Sequence, residues 1–569
     1  MTAPDLNGSR TDGFHLLVDA LKLNDVATIY GVVGIPITDL ARLAQACGIR
    51  YIGFRHESDA GHAAAAAGFL TGKPGVCLTV SGPGFLNGIV AVANATVNCF
   101  PMVHIAGSST RAIVDLQRGD YEELDQLAIA RPLAKASYRV DRVEDIGRGI
   151  ARAFRTAVSG RPGGVYLDIP GDVLAQTIDA SEGAATLWKV TDPAPAQSPS
   201  HEAVLRALEL LGGAQRPLIV LGKGAAYARA DKQIRSFVEK TGVPFLPMSM
   251  AKGVIPDDHE LSAGAARSLA MARADVVLLV GARLNWLLQH GEAPHWADGV
   301  TFIQIDIDPT EFDSNQQTVP LAGDITSVIT ALDAGLQRHP VLCPADWRVE
   351  LAQRRERNAA SMSRRLADDP QPMRFYNALR PIRDFIRDHP EVYLVNEGAN
   401  ALDVTRNVVD MRVPRHRLDS GTWGVMGIGM GYAIAAAVET GQPVIAIEGD
   451  SAFGFSGMEI ETICRYRLPI TVVILNNGGV YRGDGVDPHG TDPEPTVLAP
   501  RAHHERLIEA FGGTGYHVTS PTELTSALAA AVASRWPTLI DCELDPSAGT
   551  ESGHLTNLNP RSALQPSQA

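Results

Sequence analysis

Oxygen-donor residues stand in two short motifs in the C-terminal third of the chain. Asp450 lies in a Gly-Asp-Ser motif, and Asn477 and Gly479 lie in an Asn-Asn-Gly-Gly motif. A carboxylate, an amide oxygen and a backbone carbonyl are ligand types that Mg²⁺ prefers, and three of them leave octahedral positions free for phosphate oxygens and water. The two motifs therefore predict a magnesium site that anchors a diphosphate.

A glutamate far upstream, Glu57, is the third feature that bears on the function of these motifs. Together the three features resemble the cofactor signature of thiamine-diphosphate enzymes, the superfamily of acetolactate synthase and pyruvate decarboxylase. The resemblance implies that Glu57 contacts N1′ of the aminopyrimidine and favours the imino tautomer, whose N4′ takes the C2 proton. A buried, partly protonated carboxyl suits that role. Read by itself, Glu57 fits a surface ion pair with Arg55 or His56.

A glycine-rich stretch around Met426 resembles the element that bends the cofactor in this superfamily. The resemblance gives Gly424 the carbonyl that accepts from the cofactor amino group and Met426 the hydrophobic wedge under the bend. Without the family, Met426 fits a core methionine. Ser451 is expected to bond the diphosphate. The other cofactor-binding residues that the resemblance implies are Tyr376, Asn400 and Tyr481.

Three further segments resemble oxalyl-CoA decarboxylases within the superfamily: residues 116–126, 477–483 and 551–553. This resemblance places four residues around the reacting carbonyl, namely Tyr121, Glu122, Tyr481 and Ser552. Tyr121 and Glu122 are expected to hold water near the leaving carboxylate. Without the resemblance, residues 121–123 fit an exposed helix start.

An acyl-CoA substrate needs a subsite for a phosphorylated adenosine, and arginine is the usual residue for fork-like phosphate contacts. The resemblance implies substrate contacts at Ile35, Arg267, Asn400, Arg406 and Ser552. A lone arginine also fits an ordinary surface ion pair. In the family the middle domain can hold ADP as an activator, and the contacts implied here are Lys223, Arg283, Asp306 and Asp324.

The resemblance predicts a lyase that uses thiamine diphosphate and Mg²⁺ to decarboxylate oxalyl-CoA to formyl-CoA and CO₂. Three alternatives stay open. A 2-hydroxyacyl-CoA lyase shares the cofactor and CoA but forms formyl-CoA and an aldehyde. An acetolactate synthase requires a CoA-free 2-keto acid and FAD, for which no provision is apparent. A non-catalytic nucleotide-binding homologue should have lost at least one of Glu57, Asp450 and Asn477.

The composition fits a folded enzyme that acts on small molecules. The chain has 569 residues, with 45% hydrophobic and 20% charged residues, which is typical of globular proteins of about three domains. A net charge of −14 argues against a nucleic-acid partner. Six scattered cysteines predict neither a zinc site nor a disulfide framework. No leader-like or membrane-spanning apolar run occurs, so a cytosolic location and no membrane partner are expected.

Short apolar runs alternating with helical patterns predict three doubly wound, parallel-sheet α/β domains of the thiamine-diphosphate enzyme type. The predicted strands are residues 27–33, 76–80, 102–106, 164–169, 217–221, 276–280, 302–307, 392–395, 444–448, 470–475 and 538–542. Pro-rich residues 191–200 predict a linker, and a charged helix over residues 347–367 predicts a connector. Residues 222–227 lack the third glycine of a dinucleotide fingerprint, which argues against catalytic NAD. The predicted boundaries are 1–190 for the pyrimidine-binding domain, 200–345 for the middle domain, 368–546 for the diphosphate-binding domain and 547–569 for a lid or tail.

The assembly follows from the distribution of the predicted site. Glu57 and Asp450 lie in different domains, and in the superfamily the cofactor sits between the first domain of one subunit and the third domain of its partner. The resemblance therefore implies a homo-oligomer, at least a dimer and in the family expectation a tetramer.

Overall fold

Three α/β units follow one another along the chain in a computed structural model that describes residues 9–312 and 318–550. Each unit has one sheet with only parallel strand pairs, six-stranded in the first and third units and five-stranded in the middle unit. Parallel strands need long crossover connections, which the helices between them supply. The predicted doubly wound fold class is confirmed.

The first unit carries a six-stranded sheet of order β3-β2-β4-β5-β7-β6 and a small antiparallel pair β1-β8. Its strands are β1 Arg10–Asp12, β2 Thr28–Gly31, β3 Arg50–Gly53, β4 Gly75–Thr79, β5 Met102–Ser108, β6 Ala136–Arg139, β7 Gly164–Pro170 and β8 Thr177–Asp179. Its helices are α1 Gly13–Leu23, α2 Thr38–Ala46, α3 Glu57–Thr71, α4 Pro83–Asn98, α5 Arg111–Val114, α6 Gln126–Ala130, α7 Ile146–Val158, α8 Gly171–Ala175 and α9 Ala180–Ala185.

The middle unit has the strand order β10-β9-β11-β12-β13. Its strands are β9 Pro217–Leu221, β10 Phe245–Pro247, β11 Val276–Val280, β12 Thr301–Asp306 and β13 Thr318–Ala322. Its helices are α10 His201–Gly213, α11 Lys223–Tyr227, α12 Asp231–Thr241, α13 Arg267–Arg273 and α14 Ile325–Gly335. The predicted connector is confirmed as α15 Ala345–Ala367, which leads into the third unit.

The third unit has the strand order β15-β14-β16-β17-β19-β18, the same topology as the first sheet. Its strands are β14 Tyr393–Asn396, β15 Arg417–Asp419, β16 Val444–Gly449, β17 Ile470–Asn476, β18 Thr514–Val518 and β19 Thr538–Glu543. Its helices are α16 Phe375–Asp388, α17 Ala399–Val408, α18 Gly429–Thr440, α19 Asp450–Ser456, α20 Ile460–Arg465, α21 Glu505–Glu509 and α22 Pro521–Ser534.

Short 3₁₀ turns complete the description of the three units. They are Val143–Asp145, Ser249–Ala251, Gly264–Ala266, Trp286–Gly291, Pro309–Glu311 and Gly457–Glu459. No helix within the described ranges is long and apolar enough to cross a bilayer.

The first and third units pack through two helices that approach closely. Residues 59–70 of α3 are buried, and most of them are alanine or glycine. On the facing helix α18, a Cβ atom at Gly431 would lie 2.6 Å from the backbone oxygen of Asp59. Because no side chain separates the two backbones there, α3 is held rigidly against the third unit. The position of Glu57 at the first turn of α3 is fixed by this contact.

Candidate active site

The carboxylate of Asp450 joins the two oxygen-donor motifs of the third unit. Asp450 begins α19 directly after β16 and is 5% exposed. Its Oδ1 accepts from the backbone N–H of Ser451 at 2.8 Å, and its Oδ2 accepts from those of Gly478 at 2.7 Å and Gly479 at 3.1 Å. Burial raises the pKa of this carboxyl to about 6 against the opposing effect of these donors. A cation at the carboxylate would favour its charged form.

The side chain of Asn477 is oriented by two backbone carbonyls. Its Nδ2 donates to the oxygens of Tyr481 at 2.8 Å and Ala548 at 2.7 Å. Both amide hydrogens are therefore used, and no donor in the described part of the chain reaches Oδ1. An oriented amide oxygen, a buried carboxylate and the neighbouring carbonyl of Gly479 fit the oxygen ligand set of Mg²⁺. The predicted metal site is thus chemically consistent with the fold.

The loop that carries Gly424 and Met426 connects β15 to α18. Glu397, at the end of β14, accepts from the N–H groups of Gly427 and Gly429 and fixes the end of this loop. Met426 is half-buried, and a Cβ atom at Gly424 would have no neighbour within 4 Å. The loop therefore leaves open space in front of Gly424, as a planar ligand would need.

The C-terminal part of the described chain reaches this same edge. Asn400, in the first turn of α17, accepts from the N–H of Thr550 at 3.0 Å through Oδ1, and its Nδ2 lies 3.5 Å from the oxygen of Tyr481. Tyr481 is half-buried. The predicted Ser552 lies outside the described residues, as does most of the predicted lid.

The other predicted site residues lie at the matching edge of the first sheet. Glu57 begins α3 after β3. Its side chain is half-buried, whereas the sequence analysis expects a buried carboxyl. Its Oε2 accepts from Asn87 Nδ2 at 3.0 Å. Glu122 Oε2 accepts from Ser81 Oγ at 3.0 Å, in a loop and not at the helix start of the alternative interpretation. Tyr121 and Ile35 are 72% and 70% exposed. These side chains all follow carboxyl ends of parallel strands, where ligands bind in such sheets.

A cavity of 2330 Å³ lies between the units. Its lining residues come from all three units and include predicted contacts for the cofactor, CoA and ADP. They include Tyr376, Gly424, Met426, Tyr481, Arg267, Arg406, Lys223, Arg283, Asp306 and Asp324. Glu57 and Asp450, although both lie in the described part of the chain, are not among its lining residues. A single chain therefore does not place Glu57 in the cavity that Met426 lines.

The two predicted CoA arginines share one wall of this cavity. Arg267 donates to the oxygen of Leu287 at 2.8 Å, and Arg406 lies 3.3 Å from Asp403 Oδ1. Burial lowers the pKa of Arg267 to about 10, and the neighbouring charge of Arg406 adds to this effect. Two close guanidinium groups in a cavity wall favour an anionic ligand, such as a phosphate.

The four predicted ADP contacts lie in the middle-unit part of the cavity. Lys223 Nζ donates to Asn98 Oδ1 at 2.6 Å, and burial lowers the lysine pKa to about 7. Arg283 donates to the oxygen of Val97 at 2.9 Å. Asp324 caps α14, and burial raises the pKa of Asp306. The wall thus combines cationic and hydrogen-bonding groups suited to a nucleotide.

Four buried carboxyl groups that the sequence analysis did not identify lie at the contact between the first and third units. They are Asp59, Glu397, Glu448 and Glu459, each at most 3% exposed. Burial raises the pKa of Glu397 and of Glu459 to about 7, and it also raises those of Asp59 and Glu448. Neither oxygen of Glu448 has a partner among the described residues. No short motif marks such a cluster, because its members come from four separate segments.

Two hydrogen-bond donors were also not identified from the sequence. They are Asn87, which donates to Glu57, and Ser81, which donates to Glu122. A signal for them exists in the Ser-Gly-Pro-Gly turn over residues 81–84, which follows the buried strand β4. Proline at the first helical position marks the start of a helix. A helix that starts directly after a parallel strand lies at the edge of the sheet where ligands bind. Polar side chains within one turn of Pro83 could have been selected on that basis.

Comparison with known proteins gives matches along nearly the whole chain. Three domain families match: "Thiamine pyrophosphate enzyme, N-terminal TPP binding domain" over residues 11–129, the "central domain" over 204–332 and the "C-terminal TPP binding domain" over 398–542. An oxalyl-CoA decarboxylase of Escherichia coli (strain K12) is 60% identical over 553 residues, which cover 97% of this chain and 98% of the relative. The 2-hydroxyacyl-CoA lyase of Oryza sativa subsp. japonica is 46% identical over 97% of this chain and 98% of its own, and 2-hydroxyacyl-CoA lyase 1 of Homo sapiens is 40% identical over 95% of each.

Proposed function

This chain belongs to the thiamine pyrophosphate enzymes, and we propose that it is a lyase that decarboxylates oxalyl-CoA to formyl-CoA and CO₂. The matches confirm the family that the motifs around Asp450, Asn477 and Glu57 predict. One observation carries the choice of reaction: 60% identity to an oxalyl-CoA decarboxylase over 97% of the chain, against 46% to a 2-hydroxyacyl-CoA lyase.

The third unit supplies the residues that would hold the cofactor. Asp450, Asn477 and the carbonyl of Gly479 are the proposed Mg²⁺ ligands, and Ser451 the proposed diphosphate contact. Gly424 and Met426 are the proposed contacts of the ring system, with Tyr376, Asn400 and Tyr481 around them. When bound, thiamine diphosphate would supply a nucleophilic carbon for the thioester carbonyl and a sink for the electrons released as CO₂ leaves.

The first unit supplies the proposed acid-base residue. Glu57 would hold a proton at the pyrimidine nitrogen, so that the cofactor amino group can act as a base. Tyr121 and Glu122 are proposed to orient water beside the leaving carboxylate, and Tyr481 and Ser552 are the other residues proposed to act at the reacting carbonyl. A tight arginine at that carboxylate would stabilise the ground state, so Ile35, through its backbone, is the proposed contact.

An assay of oxalyl-CoA turnover with added thiamine diphosphate and Mg²⁺ tests this function. We expect equal amounts of CO₂ and formyl-CoA, measured by gas analysis and by chromatography with mass spectrometry. Absence of turnover in a protein that binds thiamine diphosphate would contradict the choice of substrate. A flavin in the purified protein would instead favour the acetolactate synthase alternative.

A 2-hydroxyacyl-CoA lyase activity is the second candidate, since such lyases are 40–46% identical to this chain over 95–97% of its length. The same site could cleave a carbon–carbon bond to give formyl-CoA and an aldehyde. Incubation with a 2-hydroxyacyl-CoA, followed by detection of the aldehyde, separates the two activities. A larger kcat/KM for the hydroxyacyl substrate would reverse the assignment.

A homodimer is the proposed minimal assembly. In the superfamily the cofactor sits between the first domain of one subunit and the third domain of its partner, so a partner subunit would complete each site. Large apolar side chains are exposed on α4, at Leu86 and Val90, on α19, at Phe455, and in the 3₁₀ turn that follows it, at Met458. Such exposure is expected of surfaces that pair. A tetramer, an ADP activator bound near Lys223 and a cytosolic location stay predictions.

A further inference from the structure

The carboxylate of Glu57 has one hydrogen-bond donor within the described residues. Asn87 Nδ2 donates to Oε2 at 3.0 Å. Oε1 has no donor, and it faces Gly84, where a Cβ atom would lie 3.2 Å away. The two oxygens of the proposed acid-base residue are therefore distinguished by a single neutral amide.

Asn87 reaches Glu57 because the turn before α4 is rigid. The buried N–H of Gly82 donates to Gln126 Oε1 at 2.6 Å. The side-chain amide of Gln126 donates in turn to the oxygen of Gly107 at 3.0 Å and to Tyr166 Oη at 2.7 Å. Gly82 has φ +51°, a conformation that favours glycine. The start of α4, and with it Asn87, is thus fixed relative to the sheet.

We infer that Asn87 is a positioning residue for Glu57: its amide holds Oε2 and leaves Oε1 as the oxygen that meets the aminopyrimidine. The inference rests on the proposed function, because it takes Glu57 as the residue that holds the proton at the cofactor. A hydrogen bond to a charged acceptor is among the stronger ones in proteins.

The surroundings of Glu57 explain why a neutral donor matters. Burial raises the pKa of Tyr51 and that of Cys77, and the negative charge of Glu57 adds to both shifts. These two neighbours therefore stay neutral and add no charge beside Glu57. An aspartate at position 87 would add a second negative charge, which disfavours the charged form of the glutamate.

Exchange of the C2 proton of bound thiamine diphosphate for deuterium tests the inference in the holoenzyme without any acyl-CoA. Acid quenching followed by proton NMR gives the exchange rate. For Asn87→Leu we expect a rate about ten-fold or more below wild type. For Asn87→Asp we expect the acid limb of the pH–rate profile to move to higher pH. Gln45→Leu, which replaces an exposed amide on α2, serves as the matched control and should leave the rate unchanged.

Two further measurements separate positioning from a merely structural role. The Tm and the dimer content of the apoprotein should match wild type in both Asn87→Leu and Gln45→Leu, so that a slower exchange is not caused by loss of the fold or of the proposed pairing through α4. The affinity for thiamine diphosphate, followed by tryptophan fluorescence, should change much less than the exchange rate. If Asn87→Leu does not fold, the nearly isosteric Asn87→Asp carries the test through its pH profile.

The inference is overturned if Asn87→Leu exchanges the proton at a rate within two-fold of wild type, or if Asn87→Asp leaves the acid limb in place. Failure of the proposed reaction gives a different pattern. In that case the wild-type protein exchanges the C2 proton faster than Asn87→Leu but does not release CO₂ from oxalyl-CoA.

Discussion

The first and third units share one sheet topology and carry site residues at the same end of their sheets, yet they hold those residues differently. In the third unit, Asp450 is 5% exposed and accepts from three backbone N–H groups. In the first unit, Glu57 is half-buried and accepts from one side-chain amide. Backbone donors are fixed by the fold, whereas a side-chain donor adds a rotamer that must itself be held.

The two units are therefore expected to have separate roles in the proposed mechanism. All three backbone donors to Asp450 come from the third unit itself, as would suit the proposed anchor for a cation and a diphosphate. The first-unit edge, with Tyr121 72% exposed, leaves surface that a cofactor or a partner subunit would cover. We therefore expect third-unit changes to reduce cofactor binding and first-unit changes to reduce turnover.

Asp450→Asn should have the largest effect. The amide removes a negative charge from the proposed Mg²⁺ site and can place an NH₂ group against the N–H groups of Gly478 and Gly479. We expect the affinity for thiamine diphosphate to fall by about 100-fold, measured by fluorescence titration at fixed Mg²⁺. Asp388→Asn, which removes an exposed carboxylate of the same unit, is the control. Unchanged affinity would remove Asp450 from the anchor.

Glu57→Ala should separate turnover from binding. We expect oxalyl-CoA turnover to fall by about 10²–10⁴-fold, because a positioned proton-transfer group is lost. Cofactor affinity and circular dichroism should stay near wild type, since the side chain is half-buried and lies at a helix start. Glu57→Gln provides the matched isosteric variant. A near-normal rate in either variant, or a parallel loss of cofactor binding, would contradict the division between the two edges.

Mixed dimers of Glu57→Ala and Asp450→Ala chains test whether the two edges meet across subunits. If each site combines one edge from each chain, every mixed dimer has one intact site and one doubly altered site. Random pairing then gives about a quarter of wild-type turnover, because half of the dimers are mixed. Chains purified separately and never mixed are the control and should be inactive. If both edges of a site come from one chain, mixing restores nothing.

The sequence predicted the central strands of the three parallel sheets and missed their outermost strands. Runs such as Val276–Val280 are buried along their whole length and are recognisable as apolar segments. The sequence analysis missed eight strands. Two of them, β1 and β8, form the small antiparallel pair, and the other six lie at the edges of the three parallel sheets: β3, β6, β10, β13, β15 and β18. Edge strands are short or carry polar residues on one face, so their pattern resembles that of loops.

The site shows the same contrast between local and distant information. Asp450 and Asn477 could be predicted as metal ligands from the sequence because that role depends on residue type and short spacing. The bond between Asn87 and Glu57 joins positions 30 residues apart on different helices, and the carboxyl cluster joins Asp59 to Glu459 across the two units. No pattern within one element encodes such pairs, so they could be recognised only in the folded chain.

Glu459→Gln should have the smallest effect of these variants, a small change in Tm. It tests the contact between the first and third units, which fixes their two edges relative to each other. Glu459 accepts from the N–H groups of Arg55 and His56, just before Glu57. Burial raises its pKa to about 7, so the folded protein binds this proton more tightly than the unfolded chain.

The contribution of Glu459 to the free energy of unfolding is therefore most favourable at acidic pH and is lost as the pH rises from about 4.5 to about 7. A neutral glutamine avoids this loss, so the Tm of Glu459→Gln should exceed that of wild type by about 2 °C at pH 8 and not at pH 5. Differential scanning fluorimetry across this range measures the difference. Glu461→Gln, on the same helix turn but paired with Arg465, is the control and should show no such pH-dependent gain. The opposite result, a Tm of Glu459→Gln that falls below wild type at pH 8 but not at pH 5, would mean that the ionised carboxylate stabilises the contact between the units. The negative charge of Glu459, and not its burial as a neutral group, would then fix the two edges relative to each other.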